Sequence, residues 1–526
     1  MHRSNISPFV LRATAIASLG GILFGYDLGV ISSALPQITD TFGLSENQQE
    51  MLVSVLYIGC CFGAMIGGIC CDTFGRKRTI IITDLLFFIS ASILFTASSF
   101  ETVLIGRLIV GGAVAISGIA DVAYLHEISP KEFRGAIVSC NEACISLGFL
   151  VSYLCGYFIS IHDPNDGWRY MFGLASIIAV IQLIFMFSLP ESPVWLAEKG
   201  KSQELDRALA HIDSIESTCH KKLDGEKNNH IERQDTDTSR SKLFENGLHS
   251  AHEGSYASFN VEGREEVENS IQPKNDVNFI QMFQSHYRQV IISVFLSIMQ
   301  QFCGHPNVLN FSYKIFGQIG FNTDVGRLYS VMLVGVVKFT VTCIVIWKVE
   351  RIGRRKLLIF GMSLIAASLL LLTLVYSIND LNNQSLVGKV VATISVFGVA
   401  AGYAASFGPM VWLLVSELFP STVRGRALAG STIISYAAAA LVSYTFLSFQ
   451  KNFGLAVPFG LYFVLTTLSI AFTVLAIPDT ASMTSEEIML RLEAMWWWQR
   501  RSASNKFSPA QTNDGISSVQ TRHEII

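Results

Sequence analysis

Long apolar stretches alternate with short polar segments along this chain. A membrane-spanning helix needs about 20 mostly apolar residues, and such windows occur in a group of six, then a long polar segment, then six more. The predicted spans are Ala13–Leu35, Met51–Cys71, Ile80–Ala97, Leu104–Leu125, Ser139–Ile161, Tyr170–Leu189, Val290–Phe311, Leu328–Trp347, Leu357–Ser377, Val390–Val415, Ala427–Phe449 and Val457–Ile477. The pattern predicts an all-α membrane protein with twelve transmembrane helices in two six-helix bundles.

The polar segments divide the chain further. We predict a terminus at 1–12, a first bundle at 13–190, a polar segment at 191–288, a second bundle at 289–478 and a tail at 479–526. Apolar residues at helical spacing in Val194–Ile215 predict short amphipathic helices between the bundles. The composition at 219–276 and in the tail cannot bury a core, which predicts disorder there.

Basic residues set the predicted orientation. They concentrate in the loops that follow even-numbered spans, whereas the first opposite loop, Pro36–Glu50, contains no Lys or Arg. The positive-inside tendency therefore places both termini and the central segment in the cytosol. Asn383, in an Asn-Gln-Ser sequon, then falls on the other side as a candidate glycosylation site. The expected location is a plasma membrane or an endomembrane.

Composition narrows the function classes. Of 526 residues, 50% are hydrophobic and only 15% charged, which excludes an ordinary soluble protein. The net charge of −3 gives no basic footprint for nucleic acid. The ten Cys lie mostly in apolar stretches and match neither a disulfide framework nor a zinc site. We expect no cofactor and no metal, and no motif indicates an enzyme.

Two charged phrases occur once in each half of the chain. Asp72–Lys77 (DTFGRK) returns as Glu350–Arg355 (ERIGRR), and Glu127–Gly135 returns as Glu417–Gly425 at a nearly equal offset. Equal offsets indicate a duplicated unit. Duplicated bundles of membrane helices joined by short basic loops are typical of secondary transporters.

With these motifs, the chain resembles the sugar porter family of the major facilitator superfamily. The matching phrases are Gly20–Asp27 (GGILFGYD), both repeated phrases, Pro190–Pro193 (PESP), Gln300-Gln301 and Trp412. Gly304–Asn307, Gly335–Lys338 and Asn141-Glu142 resemble the class III facilitative hexose transporters most. The resemblance implies two bundles around a central cavity, alternating access, and a monosaccharide as the partner besides the lipid bilayer.

The resemblance assigns the repeated charges to a cytosolic gate that holds the bundles together in the outward-open state. Its residues are Asp72, Arg76, Glu127, Arg134, Glu350, Arg354, Glu417 and Arg424. Ion pairs near a low-dielectric boundary can supply a few kcal/mol in one state and release it in the other. The alternative is that these charges only set topology.

Asp27 lies in the middle of span one, where a carboxylate is costly and therefore a functional candidate. Arg107, early in span four, is its predicted partner. In the family, an acid at this position is typical of proton-coupled members. The alternative is a static ion pair within the first bundle. Asp121 is a further carboxylate within span four, with no partner readable from the sequence.

Six residues are candidates for sugar binding: Gln300, Gln301, Asn307, Trp412, Glu142 and Lys338. Adjacent amides in an apolar helix can match sugar hydroxyls, and the alternative is interhelical hydrogen bonding. An indole offers an apolar plate with an N–H at its edge. By resemblance, Glu142 and Lys338 face the cavity from opposite halves. Three roles are open for this pair: it bridges the two halves, it binds substrate hydroxyls, or its charges only neutralise each other.

The chain also departs from the pattern of glucose transporters. Ile433-Ile434 and Ala437 replace polar residues of span eleven, Asn310-Phe311 replaces an aromatic pair, and Ala404 replaces an acid. Fewer hydroxyl partners leave room for another hexose, a polyol such as myo-inositol, or an oxidised sugar. A transporter-derived sugar sensor is a further alternative, because the long polar segment offers a surface for partners.

Overall fold

The computed structural model describes residues 8–129, 133–212, 285–378, 386–419 and 421–478, together with Glu487 and Arg491. These residues are almost entirely helical, and they contain no β-strand. The helices are α1 (Pro8–Gly29), α2 (Ile31–Phe42), α3 (Glu46–Phe74), α4 (Arg76–Phe95), α5 (Phe100–Ile128), α6 (Arg134–His162), α7 (Gly167–Phe187), α8 (Pro193–Glu198), α9 (Tyr287–Phe302), α10 (His305–Asn310), α11 (Ser312–Ile319), α12 (Asp324–Ile352), α13 (Arg354–Ile378), α14 (Leu386–Ala405), α15 (Phe407–Leu418), α16 (Ser421–Phe453) and α17 (Ala456–Ala476).

Local sequence signals account for several helix starts. Ser45 and Gln48 form a capping box at the start of α3. The Ser99 hydroxyl accepts from the Thr102 backbone N–H at the start of α5, and Thr323 plays the same part for α12. These side chains satisfy N–H groups that a helix start leaves without partners. These long helices therefore begin about one turn before the apolar stretches.

Within the described residues, eleven helices or helix pairs are long and apolar enough to cross a membrane. The remaining predicted span, Val290–Phe311, is broken into α9 and α10, and α11 follows it. Gly304 at the first break has a φ of +78°, and a Cβ there would lie 2.3 Å from the Tyr462 ring. Only glycine fits that backbone and that contact. The predicted all-α membrane fold is confirmed.

Each bundle is packed closely. In the first half, Gly25 of α1 and Gly148 of α6 let the two backbones meet, since a Cβ on Gly25 would lie 1.9 Å from the Ile145 carbonyl oxygen. Small residues permit such approaches between membrane helices. Between the halves, α3 packs on α16 and α6 packs on α12. Ser146 and Thr342 join the second contact through hydroxyl oxygens 3.0 Å apart.

A helical segment follows the first bundle. It comprises α8 and a further helix described over 202–212. The Trp195 indole donates to the Asp72 backbone carbonyl at 3.1 Å. The Glu191 carboxylate accepts from the Lys77 and Arg78 backbone N–H groups at 2.8 and 3.4 Å, so it caps the start of α4. The predicted disordered segment at 219–276, Asn383, and nearly all of the tail lie outside the described residues.

Candidate functional site

The break between α9 and α10 positions the two adjacent glutamines. Gln301 is half-buried and donates to the Ser435 hydroxyl at 2.8 Å. Ser435 donates to Gln300 Oε1 at 3.1 Å, and Gln300 Nε2 donates to the Phe407 carbonyl at 2.9 Å. Within the described residues, Gln301 Oε1 accepts no hydrogen bond. Gln300 thus ties α9 to α15 and α16, while Gln301 keeps an acceptor free for a ligand.

Asn307 and Trp412 occupy different environments. Asn307 is fully buried, and its Nδ2 donates to the Val442 carbonyl at 3.0 Å and to the Tyr462 hydroxyl at 2.7 Å. Its Oδ1 is buried without a hydrogen-bond partner among the described residues. Trp412 is half-buried on α15. The structure therefore holds Asn307 against α16 and α17 and leaves its carbonyl oxygen without a partner among the described residues.

Charged and aromatic side chains of both halves meet around Lys338. Its Nζ lies 3.4 Å from the centroid of the Phe149 ring of the other half, and 5.9 Å from that of Tyr403. A cation over an aromatic face is stabilised by the ring quadrupole. His305 stacks on Tyr403 with centroids 3.4 Å apart. Glu142 of the first half is half-buried and interacts electrostatically with Lys338.

Asp27 and Arg107 are brought together as the sequence predicts, but not carboxylate to guanidinium. Arg107 Nη1 donates to the backbone carbonyl of Asp27 at 2.9 Å, near the C-terminal end of α1, where a cation is favourable. Both side chains are 1% exposed, and Asp27 Oδ2 has no hydrogen-bond partner among the described residues. Arg107 therefore anchors the helix and leaves a carboxyl oxygen free to carry a proton.

The predicted gate residues form networks within each half. Arg76 pairs with Glu127 at 2.7 Å and with Asp72 at 3.7 Å. Arg354 lies 3.3 Å from Glu417, and Arg424 donates to the Phe419 carbonyl at 3.4 Å. The side chains of Arg134 and Glu350 lie outside the described residues. In this conformation the described pairs join helices of one bundle.

Buried polar residues that the sequence analysis passed over also lie in the membrane region. Asp84 on α4 is 1% exposed and has the Asp121 carboxyl as its charged neighbour, while Asp121 accepts from the Ser117 hydroxyl at 2.5 Å. Gln182 is 1% exposed, and neither of its amide atoms has a partner among the described residues. The rule applied to Asp27, an ionisable residue inside an apolar span, would have found Asp84.

Comparison with known proteins gives one consistent result. A family model described as "Sugar (and other) transporter" matches residues 13–253 and 255–491. The chain is 29% identical to the facilitated glucose transporter member 10 of Danio rerio, over 97% of this chain and 98% of that protein. It is also 29% identical to the D-xylose-proton symporter of Escherichia coli K12, over 94% of this chain and 97% of that one.

Solved structures agree with the sequence relatives. The xylose transporter from E. coli in a partially occluded inward open conformation superposes with a TM-score of 0.70, at 27% identity over 91% of this chain and 100% of that chain. The inward open conformation of the same transporter gives a TM-score of 0.70 at 28% identity.

Proposed function

Because the chain belongs to the sugar transporter family, a family of membrane transporters and not of enzymes, we propose that it carries a hexose-like monosaccharide by alternating access. The observation that supports this best is the chain of amides and hydroxyls where α9 breaks. Gln301 has a carbonyl oxygen there that accepts no hydrogen bond among the described residues, and so has Asn307, six residues further along the chain. Sugars need such neutral donors and acceptors in an otherwise apolar cavity.

The binding site in this proposal lies between the halves. Gln300, Gln301, Asn307 and Trp412 come from the second half, Glu142 from the first, and Lys338 reaches across to Phe149. A sugar held by both halves stabilises the intermediate in which they close around it, which is the step that alternating access requires. In this arrangement Glu142 and Lys338 keep the cavity neutral.

The proposed orientation places the basic loops and both termini in the cytosol. In this proposal the described conformation is inward-facing. The intra-bundle pairs Arg76–Glu127 and Arg354–Glu417 fit this state. In the outward-facing state the same loops would meet and close the cytosolic side.

Transport by the purified chain in liposomes tests the proposal. We expect saturable uptake of a hexose that an excess of the same hexose inhibits and that its mirror-image form does not. Myo-inositol and an oxidised hexose are offered in parallel. They test whether the apolar residues Ile433-Ile434 and Ala437, which replace polar residues of glucose transporters, change the substrate. Protein-free liposomes are the control. Absence of saturable uptake of any of these compounds by folded protein would refute transport and favour a sensor.

The gate gives a second prediction. Arg424→Gln should weaken closure of the cytosolic side, because the proposal pairs this guanidinium with acids of the facing loops in the outward-facing state. In a Cys140→Ser background, because Cys140 is an exposed free thiol, a reporter cysteine at Ser139, half-buried two turns from Ser146 on the same face of α6, should then react about three- to tenfold faster with an impermeant thiol reagent added from the cytosolic side.

Arg355→Gln is the matched control for this experiment. Arg355 is a neighbouring loop cation that donates to the Val474 carbonyl of its own half at 2.5 Å. It should leave the labelling rate unchanged. If the labelling rate is the same in both variants and in the unmodified protein, the repeated charges only set the membrane topology and do not form a gate.

A further inference from the structure

A buried carboxylate joins the two halves at the end of the bundle away from the basic loops. This end, called here the distal face, carries the loop 43–45 between α2 and α3. Glu50 on α3 is 1% exposed, although it lies near the start of that helix. Its Oε1 accepts from the Ser448 backbone N–H at 2.7 Å, and its Oε2 accepts from the Ser448 hydroxyl at 2.6 Å. Since Ser448 lies on α16, both hydrogen bonds cross from the first half to the second.

The charges around this contact are complementary. Glu46, one turn before Glu50, lies 3.5 Å from Lys451 Nζ. Lys314 on α11 is close enough to interact electrostatically with both Glu46 and Glu50. Two acids of the first half therefore meet two lysines of the second. Opposite charges brought together at a packed interface favour one register of the two surfaces.

A neutral hydrogen bond continues the contact toward the centre of the membrane. Asn310 Nδ2 donates to the Tyr57 hydroxyl at 3.0 Å, again from the second half to the first. Tyr57 lies two turns deeper on α3 than Glu50. The interface is thus bonded at two depths on its distal side, and Glu50 supplies the charged acceptor.

We propose that Glu50 and Ser448 form a latch that holds the distal face closed while the cavity is open toward the basic loops. The inference rests on the proposed alternating-access transport. Separation of the halves at this face breaks both hydrogen bonds, so their free energy stabilises the inward-facing state alone. One of the two donors is a backbone N–H, and therefore the latch depends more on the Glu50 side chain than on the Ser448 hydroxyl.

A buried reporter measures opening of the latch. Ser54 lies one turn deeper than Glu50, is 3% exposed, and donates only to the Met51 carbonyl of its own helix. In a Ser54→Cys background, Glu50→Ala should raise the rate of labelling by an impermeant thiol reagent from the distal side about tenfold or more, because two hydrogen bonds to a charged group are lost. Ser448→Ala should raise it by a smaller factor.

Sugar affinity is a second readout. A variant that only damages the structure would not bind sugar more tightly. A ligand that binds only the outward-facing state gains apparent affinity when that state is more populated. Glu50→Ala should therefore bind sugar supplied from the distal side several-fold more tightly, in proportion to the larger outward-facing population. Glu50→Asp, which keeps the charge, should restore part of the original behaviour.

The exposed pair Glu46–Lys451 provides the matched control. Its side chains are 36% and 70% exposed, and such pairs contribute little. Glu46→Gln with Lys451→Gln should therefore change labelling and affinity far less than Glu50→Ala does. If Glu50→Ala transports sugar but labels no faster and binds no more tightly, the latch is refuted while transport stands. If the unmodified protein transports nothing, the proposed function itself fails.

Discussion

Replacing both Gln300 and Gln301 by Leu should lower saturable sugar flux in liposomes by roughly 30-fold or more. Loss of the Gln301 amide leaves a desolvated sugar hydroxyl without its partner, which costs about 1–3 kcal/mol. The single change Gln301→Leu should account for most of the loss, because Gln301 is half-buried with a free carbonyl oxygen, whereas Gln300 is already bonded to Phe407 and Ser435. Initial rates at low sugar concentration measure the effect.

Ser435→Ala separates sugar binding from interhelical packing. Ser435 links the two amides through its hydroxyl, and it holds α9 against α16. If the glutamines only join helices, this variant should lose as much flux as Gln301→Leu. If they bind sugar, it should lose far less. Thermal stability of each purified variant shows whether a loss of flux reflects a loss of fold. Unchanged flux in the double Leu variant would place the binding site elsewhere.

The fold was predictable because a bilayer imposes one dominant rule. Apolar length alone located eleven of the twelve predicted spans among the described residues, and the repeated loops Asp72–Lys77 and Glu350–Arg355 indicated a duplication. The break at Gly304 was not predictable in the same way. Pro306, at the start of α10, is a helix breaker that the sequence shows, but the exclusion of any side chain at residue 304 comes from the Tyr462 ring of a different helix. Hydropathy carries no information about such a tertiary contact.

The sequence indicated which site residues lie in the spans, but not the contacts that they make. A carboxylate and a guanidinium in spans one and four suggested that Asp27 and Arg107 meet, and they do. That Arg107 uses the backbone carbonyl depends on where α1 ends, which the sequence leaves open. Glu50 gave no signal, because an acid near a predicted loop is usually solvated. Its burial follows from packing of α3 on α16.

Asp27→Asn should abolish sugar accumulation driven by an imposed pH gradient while it preserves exchange between equal sugar pools. Asn keeps the backbone carbonyl that holds Arg107, so the helix anchor survives, but it cannot take up a proton. In the unmodified protein the Asp27 carboxyl has an unpartnered oxygen in a buried site, where the protonated form is favoured whenever Arg107 or water is withdrawn. A proton bound in one conformation and released in the other would travel with the sugar.

Asp121→Asn is the control that makes this result specific to Asp27. Asp121 is equally buried in the same half, but the Ser117 hydroxyl donates to it and its charged neighbour is the acid Asp84, not an arginine. This variant should still accumulate sugar. If the unmodified protein shows no gradient-driven accumulation, then Asp27 only anchors α1 and the chain is a uniporter. If both variants lose accumulation, the proton route includes the Asp84–Asp121 pair, because coupling through Asp27 alone would not change when Asp121 is replaced.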